Sequence, residues 1–175
     1  MNHRARALAA TLETGADALA SFASQLTDAE WQTPLPRDGR KIGVVVHHVA
    51  SIYPLEIELA QKLAAGGAVT DVSWDDVHAL NAGHARDNDK VTPAEALALL
   101  RTNATAAAAA IRAMSDSALD LVAPNSLYGG APLTCQFMLE DHAVRHSFHH
   151  LARIRTAVER SRKARAGSGR EASLA

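Results

Sequence analysis

The chain has 175 residues, 18 basic against 19 acidic side chains and a formal charge of −1, so one domain can bury a real core, and no positive excess exists to neutralise a phosphate backbone. Hydrophobic residues make up 47% and aromatics only 4%, so the core must be built from Ala, Leu, Val and Ile, a mixture that favours helix. The single cysteine, Cys135, excludes an internal disulfide and a thiolate metal cluster, and no apolar run reaches the roughly 18 residues of a membrane span.

Leu8, Leu12, Ala16, Leu19, Phe22 and Leu26 recur at three- and four-residue spacing and predict a first helix from about Arg4 to Leu26. Thr11, Glu13 and Asp17 within it leave no signal-peptide apolar core, so a reducing cytoplasm is the expected setting. Two prolines and a glycine make Thr33–Gly39 a loop. A second helix is expected from Lys41 to Ala65, stopped by Gly66-Gly67 and kinked at Pro54. Ser73 caps a shorter helix from Trp74 to about Asp87. Thr92-Pro93-Ala94-Glu95 combines an N-cap, a first-turn proline and a capping box, and opens a helix that fades near Met114. A single turn at Ser117–Leu121 and a loop from Pro124 to Pro132 come next. Thr134 then caps a final helix reaching about Arg160. Residues 1–160 are thus expected to form the domain, and 161–175, nearly free of large apolar groups, a disordered tail. Four substantial helices with one or two short extras make the fold class all-α, a four-helix bundle.

Nine histidines are the compositional oddity, and their placement carries the functional reading. At about 100° per residue, His146 and His150 share a direction with Leu139, Ala143 and Ala157, so two imidazoles one turn apart sit in an apolar stripe. On the second helix His48 falls inside the arc of Val44, Val45, Ile52, Leu55 and Leu59, whereas His47 lies off it. A core imidazole without a partner costs free energy, and three inward histidines can discharge that cost around one cation. Three imidazoles without a thiolate suit Zn²⁺ or Ni²⁺, and Fe²⁺ or Mn²⁺ less well. Three protein ligands rather than four leave a position for water, which the ion would acidify, or for a thiol, which would bind as thiolate.

The remaining histidines read as bystanders. His142 and His149 flank the pair at a solvent edge, and His78, Asn81 and His84 share one side of the short helix, as a partly exposed face or a pocket wall. Trp31 and Trp74 read as loop anchors and Cys135 as structural.

Trp31 ahead of a loop, Ile42-Gly43-Val44-Val45-Val46-His47-His48-Val49-Ala50, and the histidine pair followed by Leu151-Ala152-Arg153-Ile154-Arg155 together resemble the DinB-like (DinB/YfiT) superfamily over about 155 residues. The resemblance implies a bundle with up-down-down-up connectivity and a three-histidine metal site, carried here onto His48, His146 and His150. Some relatives are thiol-dependent transferases or isomerases. The resemblance therefore implies a metal-dependent enzyme acting on a small-molecule electrophile, with a low-molecular-weight thiol as cosubstrate in the first reading. The alternatives are a metal-dependent hydrolase, a bundle whose ion only holds helices together, and an interaction module with incidental histidines. A second apolar stripe on the last helix, Phe137, Val144, Phe148 and Leu151, adds the expectation of a homodimer.

Overall fold

The computed structural model describes residues 2–172. Its helices are α1 (His3–Ala23), α2 (Asp28–Trp31), α3 (Ile42–Ala64), α4 (Trp74–Asp87), α5 (Pro93–Ala113) and α6 (Asp116–Leu119). A short antiparallel pair follows, β1 (Val122–Asn125) with β2 (Ala131–Thr134), in the register Val122 to Thr134. The last long helix comes in three consecutive parts: α7 (Cys135–Met138), a π-helical stretch (Leu139–Val144) and α8 (Arg145–Ala172).

The four long helices form the expected bundle, and side-chain contacts fix their directions. Asn2 near the start of α1 donates to the Arg112 carbonyl near the end of α5, so these two run antiparallel. Trp31, packed at the start of α3, donates to the Val91 carbonyl just before α5, and Asn103 reaches back to Ala50, so α3 and α5 run in the same direction. His48 and Glu56 of α3 both meet His146 of α8, which binds α3 to the last helix. The connectivity is up-down-down-up, with residues 65–92 crossing over between the two parallel helices.

Local sequence explains the element ends. Thr92 accepts from the Glu95 amide while Glu95 accepts from Thr92, and Pro93 occupies the first turn, as the spacing predicts. Ser73 caps α4 through the same exchange with Asp76, and Thr134 caps α7. Pro54 stands inside α3, where its missing N–H leaves the Ala50 carbonyl without its helical partner. The Asn103 side chain of α5 donates to that carbonyl at 2.9 Å, so the helix passes through the proline with its hydrogen bonding completed by a neighbour. Gly43 is required by packing, because a Cβ there would collide with the indole of the buried Trp31.

The core is aliphatic, as composition demands, and includes Leu12 and Leu19 of α1, Val45, Val49 and Leu63 of α3, Leu100 and Ile111 of α5, and Leu139 and Ile154 of the last helix. By length and hydropathy α3 passes for a membrane-crossing helix, but most of it is buried inside the bundle.

Three features depart from the sequence expectations. Thr27 and Glu30 form a capping box around α2, a turn that lies between the predicted first helix and the loop. The loop predicted around Pro124–Pro132 is a small hairpin closed through the left-handed Gly129 and Gly130. The final helix runs beyond Arg160 to Ala172, so 161–172 is helical rather than a disordered tail; residues 173–175 lie outside the described part. Arg and Ala propagate helix readily. Arg162 and Arg165 also return to the buried carboxylate of Glu30, giving the extension a tertiary partner.

The stripe behind the homodimer expectation is partly used by the fold itself. Val144 and Leu151 are buried, Phe148 packs its ring over Gly15, and Phe137 and Phe148 keep 37% and 39% exposure.

Candidate metal centre

The second and last long helices each bring histidines to one point. His48 lies two turns into α3, and His146 and His150 lie one turn apart at the start of α8. One ring nitrogen from each falls within 4.8 Å of the others. Nε2 of His48 and Nε2 of His146 face each other at 3.3 Å. The rings of His146 and His150 stack at 4.9 Å, and His48 meets His150 edge-on at 5.5 Å between centroids.

Protonation can be argued from partners. Glu56, one turn beyond Ile52 on α3, accepts from Nδ1 of His146 at 2.6 Å. That bond places a proton on Nδ1 and leaves Nε2 as the nitrogen facing His48. Burial, with the neighbouring His146 ring and Arg40 guanidinium, pushes His48 down to about 2, and burial with His146 and His48 pushes His150 strongly down as well. These two imidazoles are therefore neutral at physiological pH and have lone pairs to offer. Nδ1 of His150 is buried and has no hydrogen-bond partner. The close approach of the His48 and His146 nitrogens, the orphaned Nδ1 of His150, and a carboxylate orienting a ring from behind fit a divalent cation; buried polar atoms without partners are otherwise rare. The described structure thus contains a histidine cluster capable of coordinating a divalent metal.

The cluster forms part of the wall of a cavity of about 270 Å³. Ile52, Leu55 and Leu59 of α3, Val77 and Leu80 of α4, and Leu127 of the hairpin make much of the wall apolar. Trp74 closes one side and donates from its indole to the Leu127 carbonyl at 2.8 Å, the loop-anchoring role its sequence position suggests. The polar wall is formed by Arg40, Glu56, Asn81, Asp141, His142, Arg145 and His149 beside the three histidines.

The bystander histidines separate into distinct roles. His47 exchanges a hydrogen bond with His84 of α4 at 2.9 Å, and the His84 ring also meets His48 edge-on. Burial lowers His84 to about 4, reinforced by His47 and Arg40. His78 is exposed beside Trp74, whereas Asn81 reaches the cavity. His142 bonds Tyr128 at 2.9 Å, and the Tyr128 hydroxyl donates to Asp141. His149 is exposed and borders the cavity beside His150. Cys135 is buried, donates to the Ala60 carbonyl and is pushed by burial up to about 11, which agrees with a structural role.

Sequence reasoning missed Glu56, Arg40, Asp38 and Tyr128. Glu56 had a signal: it stands two turns after His48, next to an apolar arc, and is buried to 4% exposure. Arg40 and Asp38 lie in a loop where helical periodicity says nothing.

The family model described as the DinB superfamily matches residues 11–154. No curated protein matches the chain. Among solved structures, YfiT from Bacillus subtilis aligns with a TM-score of 0.75 at 21% identity, covering 92% of this chain and 89% of its own. It is described as a probable metal-dependent hydrolase with an unusual four-helix bundle topology. At that identity the likeness establishes the fold.

Proposed function

Because the chain belongs to the DinB superfamily, we propose that it is a divalent-metal-dependent enzyme whose ion is held by His48, His146 and His150, and that its reaction is hydrolysis of a small molecule bound in the adjoining cavity. The observation that carries this reading is the convergence of three imidazoles, two of them buried, on the wall of a cavity rather than inside a closed core. A structural ion is usually enclosed by four protein ligands, whereas three leave a position for a reactant. A cation bound there supplies Lewis acidity and makes water a stronger acid.

The chain's own residues do the rest. Glu56 fixes the tautomer and orientation of His146, and the apolar side of the cavity excludes bulk water from the reacting end. Hydrolysis is placed ahead of the thiol-dependent transfer that the sequence resemblance first suggested. The description of YfiT as a probable metal-dependent hydrolase favours it.

Two measurements test the proposal. Elemental analysis of purified protein is expected to find about one divalent ion per chain, lost in His48→Ala, His146→Ala and His150→Ala. A panel of esters and amides, crossed with and without chelator and with and without a small thiol, is expected to show chelator-sensitive turnover that needs no thiol. Turnover only with thiol present would replace hydrolysis by transfer, and metal retained in all three variants would remove the site.

A further inference from the structure

We propose that the cavity binds an anionic ligand through Arg40, so that the substrate of the hydrolase reading carries a carboxylate at the histidine end and an apolar body against α4. Arg40 lines the cavity, and its guanidinium is held rigidly by Asp38, which accepts from Nε at 2.6 Å and from Nη2 at 2.9 Å. Its remaining nitrogen, Nη1, with two N–H bonds, is buried and donates to nothing. An unpaired buried donor on a permanently charged group is costly, and such groups concentrate where a ligand completes them.

Position and hydrogen bonding agree with this assignment. Among the described residues the buried side-chain polar atoms without partners belong to Arg40, Glu56, His84 and His150. Three of these residues line this cavity, and the fourth packs its ring against His48. Arg40 lines the same cavity as His48, His146 and His150.

Asp38 is the carboxylate facing Arg40, yet Arg153 also binds it at 2.8 Å, so one negative charge is shared between two guanidiniums. The two carboxylates of the cavity wall are engaged elsewhere: Glu56 with His146, and Asp141 with Tyr128 and Arg145. The formal charges of the cavity wall, Arg40 and Arg145 against Glu56 and Asp141, balance, and Nη1 offers a charge-assisted hydrogen bond to one oxygen. In the same cavity Leu55, Leu59, Leu80 and Leu127 give an apolar body a surface to cover.

This assignment takes the substrate role from the proposed function, but anion binding can be read without metal or turnover. Benzoate and benzamide, nearly equal in size and different in charge, are titrated by calorimetry into chelator-treated protein. Benzoate is expected to bind at least about tenfold more tightly than benzamide, the contrast one charge-assisted hydrogen bond supports. Arg40→Gln is expected to abolish that preference and Arg40→Lys to keep part of it, with circular dichroism verifying the fold of each.

Equal binding of the two probes, no saturation by benzoate, or a preference unchanged in folded Arg40→Gln would overturn the proposal. So would benzoate binding that appears only when metal is restored, since the ion would then be its anchor. If Arg40→Gln does not fold, the wild-type ratio and Arg40→Lys decide. Elemental analysis of the same wild-type preparation separates the two readings. One ion per chain without a benzoate preference removes only the Arg40 site, and a benzoate preference without metal removes only the metal reading.

Discussion

Glu56 offers the sharpest test of how the bundle supports its histidines. Its carboxylate is 4% exposed, receives Nδ1–H of His146 at 2.6 Å, and leaves Oε2 buried without a partner. Removing a carboxylate that orients a ligating imidazole costs about 10–100-fold in metal affinity, or about 1.4–2.8 kcal/mol. Glu56→Gln keeps an oxygen that can accept from Nδ1 and loses the charge, so it should fall near the lower figure. Glu56→Leu loses the acceptor as well and should approach the upper. Metal-free stability follows a different order. The Gln variant removes a buried carboxylate with one orphaned oxygen and keeps the hydrogen bond, so its chelated form should melt within a few degrees of wild type. Competition against a chromophoric chelator gives the affinities, and thermal melts with and without chelator give the stabilities. Unchanged metal affinity in both variants would refute the reasoning. So would a loss of affinity matched by an equal loss of metal-free stability, which would make Glu56 a packing residue only.

Further outcomes follow from the same structure. Asn103→Ala should orphan the Ala50 carbonyl beneath Pro54 and cost about 1–2 kcal/mol, read as a lower urea midpoint at unchanged slope. Gly43→Ala should force the Trp31 indole off the Val91 carbonyl at a cost of about 1–3 kcal/mol, with a changed near-ultraviolet tryptophan signal; a wild-type melt would contradict the close approach. Glu30 is held at about 2 by Arg162 and the Thr27 amide, against an ordinary value of 4.5. Its folded value is depressed, so its contribution is complete above about pH 4.5 and is lost as pH falls toward 2. Glu30→Gln should flatten the acid limb of the melting curve in that window, and an identical limb would dismiss the Arg162 contact.

The histidine cluster was legible because helices convert sequence spacing into direction. His146 and His150 share a face at i, i+4, and His48 falls within an apolar arc, so their convergence needed only two packed helices. The capping box at Thr92 and the start of α4 at Ser73 were equally local signals. Glu56 stayed hidden because Leu55-Glu56-Ile57-Glu58-Leu59 offers two carboxylates, and the choice between them is made by the position of α8. Arg40 and Asp38 were hidden because loop geometry has no period. The π-helical stretch at Leu139–Val144 was hidden because its wider turn leaves no mark in hydrophobic spacing, yet it holds Asp141 and His142, the two partners of Tyr128. The helical continuation past Arg160 has its tertiary partner in Glu30, more than 130 positions away in the chain.

Helix α4 borders the cavity through Trp74, Val77, Leu80 and Asn81, yet contributes no buried residue to the core. Its detachment would therefore forfeit little of the free energy that holds the bundle, and its amides should exchange with solvent long before those of α3 or α8. Admission of a molecule to the cavity and maintenance of the histidine geometry thus draw on separate reserves of stability. Substitutions on its cavity side, at Val77 or Leu80, can reshape what enters without loosening the helices that carry His48, His146 and His150.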